Sequence, residues 1–401
     1  MSWLSRLLGF RYFKMQRLII LALIIAAASF LFSFTALGLT GFYRGFTAYL
    51  GEGGDIVAVY NPKSGTPYTG LVPAFLAERL AGAKGVLAVS PEVMAPCILN
   101  GEAVFLRGIM PEGFVRLNAV RIVEGEFLNR SDINSAVVGE NIAKRIGLKV
   151  GGNIFLLGVL ADRYVELRVK GVFRTGSMLD DEILVPLHVG QWLRGASYNQ
   201  VTLIRLKIDG STMALSEIFK VVIAEASYET ASQEVQPNQR QRAPQEQPQI
   251  PWTVMRFRPE DVGVEEASKY MMKYMEKYGA TKEALLTLST AIFLFSSLTI
   301  IIASETIAVQ HRGEIGVLRA LGASKRLLKV DMLIKLSPWI LAPSAAGMLT
   351  ALVVLAVIQE NGYLQALSHT IPIQLDPFIV SLNFILTFML ASIGVLKSSV
   401  K

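Results

Sequence analysis

The residues whose types and spacing point to a job are concentrated in one stretch, from Gln310 to Arg326. There Arg312, Glu314, Arg319, Lys325 and Arg326 alternate with Ile315, Val317, Leu318 and Leu321, and Gly322 offers a helix stop. The chemistry available to a short basic amphipathic helix is non-covalent. Lying flat between two long apolar runs, it can receive a push from a partner protein and pass it to the runs on either side. Ala323 and Ser324 follow the glycine and complete a Gly-Ala-Ser break that a purely topological basic loop does not need.

Covalent chemistry is poorly provided for. No G-x-x-x-x-G-K-[ST] phosphate loop occurs, and Gly316 and Gly322 lack the lysine spacing such a loop requires, so ATP hydrolysis is not expected on this chain. H-E-x-x-H and G-x-S-x-G are absent, which disfavours a membrane-bound hydrolase. His188, His311 and His369 are scattered and do not make a metal site. Asp180, Asp181 and Glu182 are acidic enough for a divalent cation, but a solvated turn before a strand is the reading preferred here. Cys97 is the single cysteine; it forms no intrachain disulfide and reads as a small buried apolar residue. Asn129-Arg130-Ser131 fits a glycosylation sequon. No cofactor is expected on the chain.

The elements that position the basic stretch are membrane spans. Over 401 residues the chain is 52% hydrophobic, with formal charge +7 and mean hydropathy +0.44, which with unbroken apolar runs marks an integral membrane protein. Residues 1–17 carry Arg6, Arg11, Lys14 and Arg17 and no acid among bulky apolar residues, as an interfacial cytoplasmic helix does. Residues 18–40 are the first span; a signal peptide cleaved near Gly38 is the rival, but the apolar core is about twice the usual ~7–15 residues. Residues 284–304, 336–359 and 377–396 are the other three, with Pro338 and Pro343 expected to kink the third. Lys and Arg lie in 1–17, in 305–335 and in the tail 397–401, whereas the loop 360–376 has none. The positive-inside bias then puts both termini and the basic stretch in the cytoplasm. The basic excess is thereby explained without nucleic acid.

Residues 41–263 form the single large outer domain, of α/β or α+β character. Ile56–Tyr60, Val86–Val89 and Ala103–Ile109 read as strands, the second halted by Ser90-Pro91, and Leu71–Leu80 reads as a helix. These suggest a split β-α-β layer. A second cluster follows: Ala136–Gly139, a helical stretch from Asn141 to Ile146, Val150–Phe155, Val165–Val169 and Val185–Leu187. Val201–Ile208 is a further strand and Met213–Ala226 a helix. Residues 232–251, rich in Gln and Pro, have little to bury and read as a flexible loop. Residues 264–283 have helical spacing; a helix running on to Gln310 would be roughly 70 Å long, a stalk with Gly279 as a hinge.

The segment Arg312–Ser324, R-x-E-I-G-x-L-R-A-L-G-A-S, resembles the signature of the MacB/FtsX-like ABC transporter permeases, which include the lipoprotein-release permeases. Gly125-Glu-Phe127, Ala136–Gly139, Val150–Ile154, Gly171–Gly176 and Val185–Leu187 resemble that family's periplasmic core in the same order. The resemblance implies a four-helix membrane protein with its outer domain inserted between the first and second helices. It implies that Arg312, Glu314, Ile315, Leu318, Arg319, Leu321, Gly322, Ala323, Ser324 and Lys325 form a coupling helix on a separate ABC-type ATPase, where ATP and magnesium bind. It also implies a homodimer, or a heterodimer with a related permease, in the plasma membrane, acting on an extracytoplasmic substrate or adaptor. The division-type members offer the alternative of regulating cell-wall hydrolases without transport. Lys335 departs from the family, which usually has glutamate entering the third span.

Overall fold

The structure is a computed structural model that describes residues 15–51, 53–210, 215–222, 261–277, 282–310, 313, 316–317, 320–322, 324–361, 365–366, 368–371 and 376–398. Residues 1–14 of the amphipathic segment and the whole of the Gln/Pro-rich 232–251 lie outside the described residues. Of the helix expected over 213–226, residues 215–222 are described and are helical. The chain divides into two compact units: Met1–Tyr43 with Gly279–Leu364 and Ile371–Lys401, and Arg44–Tyr278 with Gln365–Thr370.

The first unit is built from helices. Met15–Thr47, Leu328–Gln359 and Pro377–Lys397 are long and apolar enough to cross a membrane, and the helix Lys282–Gln310 carries a further apolar stretch, Ala291–Thr306. The charge-free runs are shorter than the helices that hold them, because hydropathy reports the bilayer and not the helix end. Leu18, Leu21 and Ile25 pack with Ile300, Leu336, Ile340, Leu390 and Val395, while Ile20, Leu23, Phe295 and Val353 stay exposed as a lipid-facing surface requires. A Cβ on Gly347 would lie 2.2 Å from the carbonyl oxygen of Ala26, and one on Gly394 2.6 Å from that of Ile301, so both helix pairs touch backbone to backbone. Beside the first contact Ser29 Oγ donates to Ser344 Oγ at 2.9 Å and Asn383 Nδ2 donates to the same oxygen at 3.2 Å, a polar knot across three helices. Pro338 and Pro343 lie inside the helix Lys325–Glu360. Pro338 cannot donate to Ile334, and Ser337 Oγ supplies that carbonyl with a donor at 2.8 Å.

The second unit, the head, is organised by one ten-stranded sheet. Its strands in chain order are β1 (Ile56–Tyr60), β3 (Val86–Leu99), β4 (Glu102–Ile109), β5 (Arg121–Gly125), β6 (Ser135–Gly139), β7 (Asn153–Gly158), β8 (Arg163–Arg174), β9 (Glu182–Pro186), β11 (Leu203–Ile208) and β12 (Gly263–Glu266). The short β2 (Val72–Pro73) and β10 (Gln200–Val201) pair with each other, as do β13 (Gln365–Ala366) and β14 (His369–Thr370). The sheet runs β12-β1-β11-β3-β4-β9-β6-β8-β5, and β7 bridges β3 and β8. The strands β3, β4, β9, β6, β8 and β7 therefore close a ring, which removes their free edges. Inside it Cys97, Leu106, Val138, Leu156, Leu167 and Ile183 form a core.

Four expectations change. The helix expected over Leu71–Leu80 opens as the strand β2, paired by β10, and is helical only over Phe75–Ala81. β3 does not stop at Ser90-Pro91 but runs on to Leu99, because Pro91 is paired by β11 on one side and precedes the start of β4 pairing at Glu92 on the other. The stalk helix expected over 264–283 opens as the strand β12, which adds to β1, and its helix is Ala267–Lys277. Asp180, Asp181 and Glu182 are buried and are not a solvated turn: Asp180 accepts from Thr175 and Gly176, Asp181 from Thr370, and Glu182 enters a buried ion-pair chain.

Candidate functional site

Of the residues expected to dock on a partner, Arg312, Glu314, Ile315, Leu318, Arg319 and Ala323 lie outside the described residues, and Leu321, Gly322, Ser324 and Lys325 are described. Leu321 N donates to the Val317 carbonyl at 3.1 Å, a helical turn. Gly322 then takes φ +96°, a backbone conformation that L side chains disfavour, and ends that turn. Ser324 accepts the amide of Leu328 at 3.2 Å through its carbonyl and so stands at the N-cap of the helix starting at Lys325. Val317 and Leu321, one helical turn apart, are 63% and 80% exposed. Two bare apolar side chains beside a glycine-terminated turn suit docking into a hydrophobic pocket of another protein.

The head holds a second constellation, which the sequence analysis did not assemble. On the sheet face opposite the ring core, four neighbouring strands carry alternating charges: Arg205 on β11, Glu92 on β3, Arg107 on β4 and Glu182 on β9. Arg205 Nη2 lies 2.7 Å from Glu92 Oε1, and Arg107 Nη1 lies 2.5 Å from Glu92 Oε2. Arg107 then forks onto Glu182, with Nε 2.6 Å from Oε2 and Nη2 2.9 Å from Oε1. Ser90 Oγ donates to Glu92 at 2.8 Å, and Arg205 Nη1 donates to the Leu50 carbonyl at 2.9 Å. At the far end Glu182 Oε1 also accepts from Tyr49 and stands 3.1 Å from His369 Nε2.

All four charged side chains of the ladder are buried. Burial would push Glu92 and Glu182 upward, but the neighbouring guanidinium groups outweigh it, lowering Glu92 and holding Glu182 well below the usual carboxylate range. Burial, reinforced by Glu182, holds the Tyr49 hydroxyl protonated and able to donate. The one signal for this ladder was a charge inside an apolar strand, as in Leu106-Arg107-Gly108 and Ile204-Arg205-Leu206. Such charges are rarely buried unless paired, yet the partner of each is set by sheet order. Among the described residues no cluster of His, Cys, Asp and Glu has the arrangement of a metal site.

The MacB-like periplasmic core domain family matches residues 18–238, more than half of the chain, and the FtsX-like permease C-terminal family matches residues 286–400. The chain belongs to the MacB/FtsX-like family of ABC transporter permeases. It is accordingly a membrane protein with an extracytoplasmic domain, from a family whose members work with an ABC ATPase. Among solved structures it is similar to the periplasmic region of MacB from Actinobacillus actinomycetemcomitans, at 13% identity and TM-score 0.36, over 55% of this chain and 92% of that one. It is also similar to the extracellular domain of the ABC-type transporter YknZ from Gram-positive bacteria, at 13% identity and TM-score 0.32, over 45% and 95%. A permease domain from Porphyromonas gingivalis matches at 13% identity and TM-score 0.32, over 44% and 84%. A search of curated protein sequences gives no match.

Proposed function

We propose that this chain is the non-catalytic permease subunit that converts ATP-driven motion of a separate ATPase into motion of its own head. Four spans anchor it, with both termini and the segment 305–335 in the cytoplasm and the head outside. Arg312, Glu314, Ile315, Leu318, Arg319 and Ala323, with Leu321, Gly322, Ser324 and Lys325, form the contact with the ATPase. Two copies, or one copy and a related permease, complete the complex, and ATP with magnesium binds on the ATPase. The work is done on a substrate or adaptor outside the membrane, as export or extraction without passage through the bilayer.

The observation that carries this reading is the exposed pair Val317 and Leu321 on a turn ended by Gly322, between the apolar helices Lys282–Gln310 and Lys325–Glu360. A bare leucine beside basic residues gains by burial in a partner, roughly 1.5–3 kcal/mol for a fully buried side chain. Co-purification with the ATPase tests it. Wild type should retain the ATPase, and Gly322→Pro or Arg319→Glu should lose it; equal retention by all three rejects the docking assignment. A loss-of-function strain separates transport from the division-regulator reading: compound sensitivity or mislocalised lipoproteins for the first, septation defects for the second.

A further inference from the structure

The hairpin formed by β13 and β14 belongs to the head, yet the chain on either side of it leads to the apolar helices Lys325–Glu360 and Pro377–Ser398. A two-stranded hairpin of this size has little stability of its own, so its order must come from what it touches. Thr370 donates twice to Asp181, from its amide at 2.8 Å and from its hydroxyl at 2.9 Å. His369 is buried, with its ring 5.0 Å from those of Tyr49 and Phe105 and its Nε2 3.1 Å from Glu182.

Arg107 already meets Glu182 through two nitrogens. The bond to His369 is therefore not needed to neutralise the carboxylate, and what it adds is attachment of the hairpin. Tyr49, two residues beyond the helix Met15–Thr47, is attached to the same oxygen. Glu182 is thus one carboxylate that two chain segments adjoining the apolar helices both reach, and it ends a ladder of ion pairs that crosses β9, β4, β3 and β11.

We propose that Asp181 and Glu182 are positioning residues that together latch the hairpin Gln365–Thr370 into the head, making the hairpin a second strut through which the third and fourth apolar helices move it. The first strut is the helix Ala267–Lys277 leading toward Lys282–Gln310. This inference rests on the force-transmission reading above and adds a second point of entry. Its first arm does not depend on that reading.

The test uses the full chain in complex with its ATPase and compares wild type with the double variant His369→Phe, Thr370→Val. Phenylalanine keeps the ring against Tyr49 and Phe105 and removes the nitrogen; valine keeps the shape and the amide and removes the hydroxyl. Without nucleotide, amide exchange across 365–370 should accelerate about tenfold or more in the double variant, as loss of hydrogen bonds to charged groups requires. His369→Gln, which restores a donor, should recover much of the protection. Unchanged exchange overturns the latch.

The second arm compares exchange in the strands of the head with and without a non-hydrolysable ATP analogue. Wild type should show a nucleotide-dependent change, and the double variant, still bound to the ATPase, should lose most of it. A released hairpin with an undiminished response overturns the strut. An ATPase that binds without any response in wild type overturns the strut together with the force-transmission reading, while the nucleotide-free arm still decides the latch. Should the double variant fail to fold, His369→Phe and Thr370→Val are each carried singly through both arms, the first reading the bond to Glu182 and the second the bond to Asp181.

Discussion

Glu92 stays ionised with no solvent around it because guanidinium groups reach it from the strands on both sides, Arg205 from β11 and Arg107 from β4. Each charge in the ladder except the two at its ends is shared in this way. Removing an interior member leaves a buried charge uncompensated, which costs about 3–5 kcal/mol. Arg107→Met should therefore cost that much in denaturant unfolding of the head, because Glu182 loses the guanidinium that forks onto it while Glu92 keeps Arg205. The pH dependence has a definite sign. Glu92 and Glu182 have folded values depressed below the ordinary carboxylate range, so their contribution is complete above about pH 4.3 and is lost as pH falls through the folded values. The unfolding midpoint of the head should be insensitive to these groups between pH 5 and 7 (roughly, on the reference values) and should drop in stronger acid. Glu182→Gln should be less stable throughout and should show a shallower acid limb. Cys97, buried in the ring core, has its thiol pushed up to about 12 by burial, so a maleimide at neutral pH should leave it unlabelled until the head unfolds.

The elements of the membrane unit are held by close approach. Gly347 and Gly394 each face a backbone carbonyl, which cannot move aside as a flexible side chain can. Gly347→Leu should force the helices Met15–Thr47 and Lys325–Glu360 apart and cost about 1–3 kcal/mol or more, read as a lower melting temperature in detergent. Hydropathy found where these helices cross apolar surroundings, but not these contacts, since two glycines among many in a sequence are indistinguishable until helices are paired. Strand elements divide in the same manner. β1, β4 and β6 are legible from their apolar runs, whereas Ser90-Pro91 made β3 look shorter than it is. The start of the stalk reads as helix by its spacing, and Gly263–Glu266 is strand because β1 offers an unpaired edge there. Tertiary pairing overrode local preference.

At the scale of the whole molecule, the basic stretch proposed to dock and the folded head are separated along the chain by an apolar helix, and the family matches cover both parts. The proposed topology predicts that a cysteine placed at Ser324 is labelled from the cytosolic side, and one at Tyr164, exposed on β8, only from the outer side. The reverse pattern would exclude transmission from a cytoplasmic ATPase to the head. The stretch proposed to dock was singled out from local features alone: charge spacing, apolar side chains between the charges and a terminating glycine.

By itself, the sequence determined the apolar runs, the bias of their flanking charges and most strands of the head, since each depends on residues near one another in the chain. Only the tertiary structure decided that the two strand clusters share a sheet, that six of its strands close a ring, and that Arg205, Glu92, Arg107, Glu182, Tyr49 and His369 meet. The physical reason is that a buried charge is tolerated only beside its partner. Those partners lie as far apart along the chain as Glu182 and His369, where no periodicity can reach and only strand order brings them together.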